Sequence, residues 1–236
     1  MSELPSSLGF VAALQLADTF FPSGAYTLSH GLETAVEDGL VRSPGDLESW
    51  LRAQVAFQVA STDGCAVVQS WRRAAVCDVV GIVAVDRQLG SFRLVEEARD
   101  ASRKVGRRLL TTTAAIVDEA SAATLTAYLT EVRSGRAAGH APVALAVASV
   151  ALNIRAEEAV LVALYSFSSA VLGAALRLLR IDHQATQAIL FRLRPVFSAS
   201  ARRCLAEADE GYWAGAPLAE ISAMRHRCGL RRSFMT

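Results

Sequence analysis

The segment LADTFFPSGAYTLSHGLE, residues 16–33, combines residue choices that generic packing does not require. Two adjacent phenylalanines, Phe20 and Phe21, run into a turn formed by Pro22, Ser23 and Gly24. Gly24 suits a tight turn because glycine enters the region of positive φ at little steric cost. We interpret the two phenylalanines as core residues, and an exposed contact with a partner protein is the alternative at either position.

A helix is predicted directly after this turn, over about residues 25–40. Gly31 would lie inside it, where glycine costs about 1 kcal/mol relative to alanine unless another helix or chain approaches closely. Three polar residues fall on one side, which we expect to face outward: His30, Glu33 and Glu37. The opposite face is predicted to be buried and consists of Leu28, Leu32, Ala35, Val36 and Gly39.

Helical spacing of apolar residues continues along the chain. The sequence SPGD at residues 43–46 predicts a helix start, with a serine cap, a proline in the first turn and an aspartate placed for a capping box. Residues 77–86, CDVVGIVAVD, could form a buried strand by their β-branched content. No second candidate strand is available to pair with them, so we favour a helix.

Two helices are predicted over residues 94–132, and a long helix capped by Asp182 is predicted from His183 to about Ala208. Its apolar face continues across Pro195, so we expect a kink rather than a break. The predicted fold is therefore all-α, a single-domain bundle of about eight to ten helices over residues 1–211. Composition shifts after Gly211, and residues 212–236 are predicted to form a C-terminal tail that could be flexible.

Composition excludes several classes of protein. The chain has 236 residues, of which 52% are hydrophobic and 20% charged, a composition unlike that of a disordered protein. Its formal net charge of +1 argues against a broad nucleic-acid-binding surface. The cysteines at positions 65, 77, 204 and 228 have no CxxC spacing, and the N-terminus has no basic n-region. We therefore expect reduced thiols in a cytoplasmic protein.

Two runs without charged residues, 137–154 and 159–176, reach about the lower length limit for a membrane-spanning helix. Both are rich in alanine, and tryptophan is missing from their ends. We interpret them as buried core helices, with a membrane hairpin as the alternative.

Sequence motifs for catalysis or cofactor binding are absent. The histidines at positions 30, 140, 183 and 226 form no zinc pattern, and there is no P-loop, dinucleotide-binding glycine motif or GxSxG. His30 and Glu33 could share a helical turn, but two ligands make a weak metal site, and a transient metal contact by one histidine stays open. The adjacent Glu96 and Glu97 are interpreted as a solvated helix face. We predict a binding or scaffold protein, not an enzyme, with no tightly bound cofactor.

Several segments in order resemble the urease accessory protein UreF family. Residues 16–33 are similar to its N-terminal motif, and residues 97–107 resemble its Glu-x-Arg-x-Ala-Ser…Gly-Arg helix. Residues 140–143 resemble its His-x-Pro-Val helix start, and residues 165–187 resemble its central helix, Arg-Leu step and Gln-x-x-Gln helix. Residues 224–226 resemble its C-terminal Met-x-His segment. The structural positions in these motifs are Pro22, Gly24, Gly31, Arg99, Gly106, Arg177, Gln184 and Gln187. We expect Arg99 and Arg177 to pair with carboxylates.

The chain departs from the family pattern at a few positions. The family usually has glycine where Ala25 stands, Gly-Gln at residues 183–184 and glutamate at Arg227. Its terminal Arg-Leu-Phe-Arg-Ser is represented only by residues 232–236. Partner docking is assigned by resemblance to this tail, so the strength and identity of that contact are open.

The resemblance implies a cytoplasmic, non-enzymatic homodimer that bridges the accessory protein UreD (also called UreH) and the GTPase UreG. That complex inserts nickel into apo-urease, and the chain would hold the partners in register and could regulate GTP hydrolysis. Nickel would be handled by the complex, and no nucleic acid or membrane partner is expected. The expected partner-binding residues are Tyr26, His30, Glu33, Glu37, Arg225, His226, Arg232 and Phe234.

The alternative is an all-helical enzyme or a membrane-associated protein of unknown substrate. It would require a polar constellation buried among the alanine- and valine-rich helices, and the sequence shows none.

Overall fold

The protein is helical throughout the described residues, with loops between the helices and no strand. The computed structural model describes residues 7–24 and 28–226, without the side chain of His226. The α-helices are α1 (Ser7–Ala17), α2 (Leu32–Glu37), α3 (Pro44–Gln54), α4 (Cys65–Ala75), α5 (Val79–Phe92), α6 (Glu96–Ile116), α7 (Ala123–Arg133), α8 (Ala141–Ala151), α9 (Ala156–Leu178), α10 (His183–Glu207) and α11 (Pro217–His226).

A π-helix, π1 (Val55–Gly64), joins α3 to α4 without a break, and a 3₁₀ turn (Ala208–Glu210) follows α10. Because α3, π1 and α4 form one continuous rod, the described residues contain ten helical rods. The predicted all-α bundle is confirmed.

The centre of the core is built on α8 and α9. Nearly every residue of α8 is buried, because α4 and α6 pack on its two sides. α9 packs against α1, α10 and π1. By length and composition α9 is the one helix of the described residues that could cross a membrane, but 56% of its most apolar window is buried inside the protein. Such burial is typical of a core helix.

Helix starts follow the sequence closely where a polar cap is present. Ser43 Oγ accepts the Asp46 N–H at 3.2 Å and Asp46 Oδ2 accepts the Ser43 N–H at 2.9 Å, which completes the predicted capping box. Asp78 caps α5, so residues 77–86 are helical after a short turn, and the strand alternative is wrong. Asp182 caps α10, which continues through Pro195 without a break.

One buried carboxylate holds the start of α8. Asp86, on α5, is fully buried and accepts the backbone N–H groups of Ala138, Gly139 and His140 at 2.6, 2.8 and 2.9 Å. Hydrogen bonds from several N–H groups compensate the burial of a charge. The sequence analysis did not identify this role of Asp86.

The helix predicted over residues 25–40 is shorter than expected. α2 begins only at Leu32, because His30 and Gly31 have φ of 50° and 81° and interrupt the helical path. Gly31 is therefore not inside a helix but at its boundary. A Cβ there would lie 3.0 Å from the Ala219 carbonyl oxygen, so the predicted close approach is made by α11 within the same chain.

The two adjacent phenylalanines have opposite environments. Phe21 is 5% exposed and belongs to the core, as predicted, whereas Phe20 is 94% exposed, so its interpretation as a core residue was wrong. Gly24 has a φ of 78°, which confirms the predicted turn.

Residues 212–226, assigned to the predicted tail, pack on the helical body. Tyr212 is buried and its hydroxyl donates to Gln69 Oε1 at 2.6 Å. The Gly215 N–H donates to the Phe57 carbonyl at 2.6 Å. Residues 227–236, which include Arg232 and Phe234, lie outside the described residues, as do residues 25–27 with Tyr26.

The contact of α6 with α8 at Gly106 should be sensitive to the addition of a side chain. A Cβ at Gly106 would overlap the Gly139 carbonyl oxygen and lie 3.0 Å from the Ala141 nitrogen. Although alanine favours helix by about 1 kcal/mol, we expect Gly106→Ala to lower the free energy of unfolding by roughly 1–3 kcal/mol. Urea unfolding followed by circular dichroism measures the change.

Gly173→Ala is the matched control, because Gly173 is also inside a helix but a Cβ there would meet nothing within 4 Å. We expect it to leave stability unchanged or to raise it by up to about 1 kcal/mol. Equal effects of the two substitutions would contradict the close contact at Gly106.

Candidate functional site

The two segments predicted to bind partners, one near each end of the chain, meet in the structure. α11 packs against α2 and closes over Gly31. Arg225 Nη1 of α11 forms an ion pair with Asp38 Oδ2 at 2.5 Å. The N-terminal motif and the C-terminal helix therefore form one continuous surface.

His30 lies at the inner side of this junction rather than facing outward as predicted. Its ring packs on Phe167 of α9, with ring centroids 4.6 Å apart at an interplanar angle of 53°. It borders two adjoining cavities of about 130 and 150 Å³. Glu33 is also turned inward, at 3% exposure, whereas Glu37 is exposed as predicted. The early turn at His30 and Gly31 shifts the helical register and accounts for both corrections.

The π-helix supplies one wall of the cavities and places Asp63 beside His30. Arg93, in the loop between α5 and α6, donates from Nη2 to Asp63 Oδ1 at 2.7 Å. Arg99 donates to the Arg93 carbonyl at 2.9 Å and so supports that loop. It is held by a carbonyl rather than by the carboxylate that we expected. π-Helical turns occur often at functional sites, where they redirect side chains.

Several buried polar atoms around the cavities have no hydrogen-bond partner among the described residues: Ser29 Oγ, Gln54 Nε2, Gln58 Oε1 and Arg93 Nε. The amide of Gln58 also ties π1 to α11, since its Nε2 donates to Glu220 Oε1 at 2.9 Å. Native proteins rarely bury so many polar atoms without partners, so the interior of this junction is suited to polar groups.

His30 carries no charge at neutral pH, and it belongs to no cluster of metal-ligating side chains among the described residues. Burial, and then the positive charge of Arg93, lowers the pKa of His30 to about 4, so the imidazole is neutral at pH 7. In the part of the chain that the structure describes, no three His, Cys, Asp or Glu side chains converge on one point. Asp63, the carboxylate that lines both cavities with His30, is already paired with Arg93 at 2.7 Å.

The outer side of the junction is apolar. α11 exposes Leu218, Ile221 and Met224, and nearby Phe57 and Trp213 are about half exposed, with ring centroids 6.4 Å apart. Glu37 and Arg225 add charge around these residues. An apolar centre with a charged rim is typical of protein–protein interfaces.

The other sequence-predicted residues lie elsewhere. Gln184 and Gln187 are exposed in the first turns of α10, and Arg177 is exposed near the end of α9. The sequence analysis missed Asp63, Arg93 and Phe167. Asp63 leaves one signal in the sequence, the polar pair that it forms with Thr62 near the end of π1. The signal could not be assigned to a face, because π1 breaks the spacing that a helical pattern assumes.

Comparisons with known proteins agree with the predicted resemblance. Residues 41–194 match the family model described as UreF. Proteins named "Urease accessory protein UreF" from Yersinia enterocolitica (serotype O:8), Yersinia pseudotuberculosis (serotype IB) and Yersinia pestis (strain Pestoides F) are each 32% identical over 183 residues, which is 78% of this chain and 78% of each relative.

Two histidines shielded from water, the half-buried His30 and the fully buried His140, predict that acid destabilises the fold. Burial is the main reason that the pKa values of His30 and His140 are both lowered to about 4. In the unfolded chain the pKa is about 6.5, so between these values the unfolded chain binds more protons. This contribution to stability is complete above about pH 6.5 and is lost as the pH falls toward 4.

Urea unfolding between pH 7 and 5 measures this dependence. The slope of the unfolding free energy against pH is proportional to the number of protons that unfolding takes up. We expect His30→Gln to reduce this slope by up to the amount that corresponds to one proton. His183→Gln, at an exposed position, is the matched control. A slope that is the same in both variants would contradict a neutral, desolvated His30 in the folded protein.

Proposed function

The chain belongs to the UreF family of urease accessory proteins, and on that premise we propose that it is a scaffold in urease maturation. It bridges a UreD/UreH-type accessory protein and the GTPase UreG in the complex that inserts nickel into apo-urease. It acts in the cytoplasm as a homodimer, and nickel is carried by the complex rather than bound tightly by this chain.

The junction of α2 and α11 supports this proposal more than any other feature. Two segments 187 residues apart in sequence are joined there by the Arg225–Asp38 ion pair. The surface so formed has exposed apolar side chains at one-turn spacing, Leu218 and Ile221, with Glu37 at its rim. A scaffold needs such a rigid, preformed surface, since ordering a flexible segment on binding costs affinity.

Regulation of the GTPase is a second part of the proposal. An arginine supplied in trans stabilises charge in the transition state of phosphoryl transfer. The chain has 24 Lys and Arg residues, nearly all arginine, and no P-loop of its own. It therefore acts on hydrolysis by UreG and does not hydrolyse GTP itself.

Co-purification with UreD- and UreG-type partners tests the bridging role. Residues 212–226 of the predicted tail pack on the helical body, and residues 227–236 lie outside the described residues. We expect deletion of 227–236 to weaken capture of the UreD-type partner while the melting temperature is kept. Deletion of 212–236 should also lower the melting temperature, since it uncovers the junction.

Capture of both partners by the chain lacking 212–236 would contradict docking at this end of the molecule. Unchanged urease activation in a strain without this protein would contradict the accessory role itself.

A single charge on α11 gives a sharper test. We expect Ile221→Asp to weaken partner binding by about tenfold or more, because a carboxylate would be desolvated in an apolar interface centre. Ile116→Asp is the matched control, since Ile116 is 52% exposed at the end of α6 and Ile221 is 50% exposed. Biolayer interferometry measures affinity, and thermal unfolding shows that both variants are folded. Equal loss of affinity in the two would contradict binding at α11.

A further inference from the structure

A third cavity, of about 430 Å³, opens between α5, α6 and the loop before α8. It shares no lining residue with the two cavities at His30. Its walls carry four arginines: Arg87 on α5, Arg103 and Arg107 on α6, and Arg136 in the loop. This concentration of positive charge is unusual in a chain whose net charge is only +1.

Carboxylates neutralise only part of the positive charge around this cavity. Asp86 is its only acidic lining residue, and both of its oxygens already accept backbone N–H groups at the start of α8. Arg136 is held by Glu131 at 2.6 and 2.8 Å, and Arg103 is 3.5 Å from Asp100. Arg87 and Arg107 form no ion pair within the described residues, so their charges remain available.

A buried polar side chain lies at the base of the cavity. His140 is 0% exposed, and neither Nδ1 nor Nε2 has a hydrogen-bond partner among the described residues. A Cβ at Gly90 would lie 3.0 Å from Nε2, so the glycine lets this nitrogen pack close to the backbone of α5 at the cavity wall. The buried Nε of Arg103 is also without a partner in the described structure.

We propose that this cavity binds a small tetrahedral oxyanion of the phosphate class. Arg103 and Arg107 hold it by charge-assisted hydrogen bonds, and His140 Nε2 forms a hydrogen bond to one oxygen at the base. The positive walls exclude a metal cation. The lining has no Phe, Tyr or Trp on which a base could stack, so free phosphate fits better than a nucleotide.

This inference is independent of the scaffold function. It concerns another part of the fold, and phosphate binding can be measured on the isolated chain. Failure of one proposal would leave the other in place.

Titration with inorganic phosphate, against sodium chloride at equal ionic strength, tests the site by calorimetry and by the ¹⁵N shifts of the His140 ring. We expect saturable binding that moves these shifts, and an affinity about tenfold weaker in the double variant Arg103→Gln/Arg107→Gln. Arg194→Gln/Arg202→Gln removes the same charge from exposed sites on α10 and should change affinity less than about twofold.

Gly90→Ala provides a second variant, in which the added methyl presses on Nε2 while alanine favours the helix. We expect it to displace the His140 ring and to weaken phosphate binding, and thermal unfolding shows whether the variant is folded. Adenosine monophosphate should bind no more tightly than phosphate, and tighter binding would favour a nucleotide and overturn the assignment to free phosphate. No saturable binding, or equal losses in the two double variants, would overturn the site.

Discussion

The carboxylate of Asp86 is the constraint on which most of this fold depends. It is buried on α5 and gathers three successive backbone N–H groups at residues 138–140, so it sets where α8 begins. α8 is the most buried helix, and α4 and α6 pack on it. The same hydrogen bonds bring the Gly139 carbonyl against Gly106, where only a glycine fits. A single charge in the interior thus fixes the depth and direction of the central helix.

Local chemistry explains how much of the fold could be predicted. Capping residues such as Ser43 and Asp182 act within three residues of themselves, so helix starts could be identified from sequence. Gly31 shows where this fails. Its left-handed conformation is stabilised by contact with α11, almost 190 residues further along the chain. Long-range packing of that kind leaves no periodic signal, and the predicted helix over residues 25–40 was too long for this reason.

The candidate site was predicted in part. His30, Glu37 and Arg225 were all expected near a partner surface, and the structure places them at one junction. That they meet could not be predicted, because sequence spacing contains no information on contacts between the ends of a chain. Asp63 was missed for a local reason: π1 has a period longer than that of an α-helix, so an amphipathic pattern assigns its residues to the wrong face. Whether this junction binds the proposed partners stays a prediction.

The closure of α11 over the N-terminal motif has a consequence for biosynthesis. Residues 31–38 complete their packing only against residues 219–225. Residues 219–225 leave the ribosome almost 190 residues after Gly31, and chains are made from the N-terminus at about 5–20 residues per second. The segment at residues 31–38 therefore cannot complete its native contacts until α11 has been made. Before α11 is made, the cavity that Ala219, Glu220 and Ala223 line beside His30 lacks this wall, and the junction of the two segments does not yet exist.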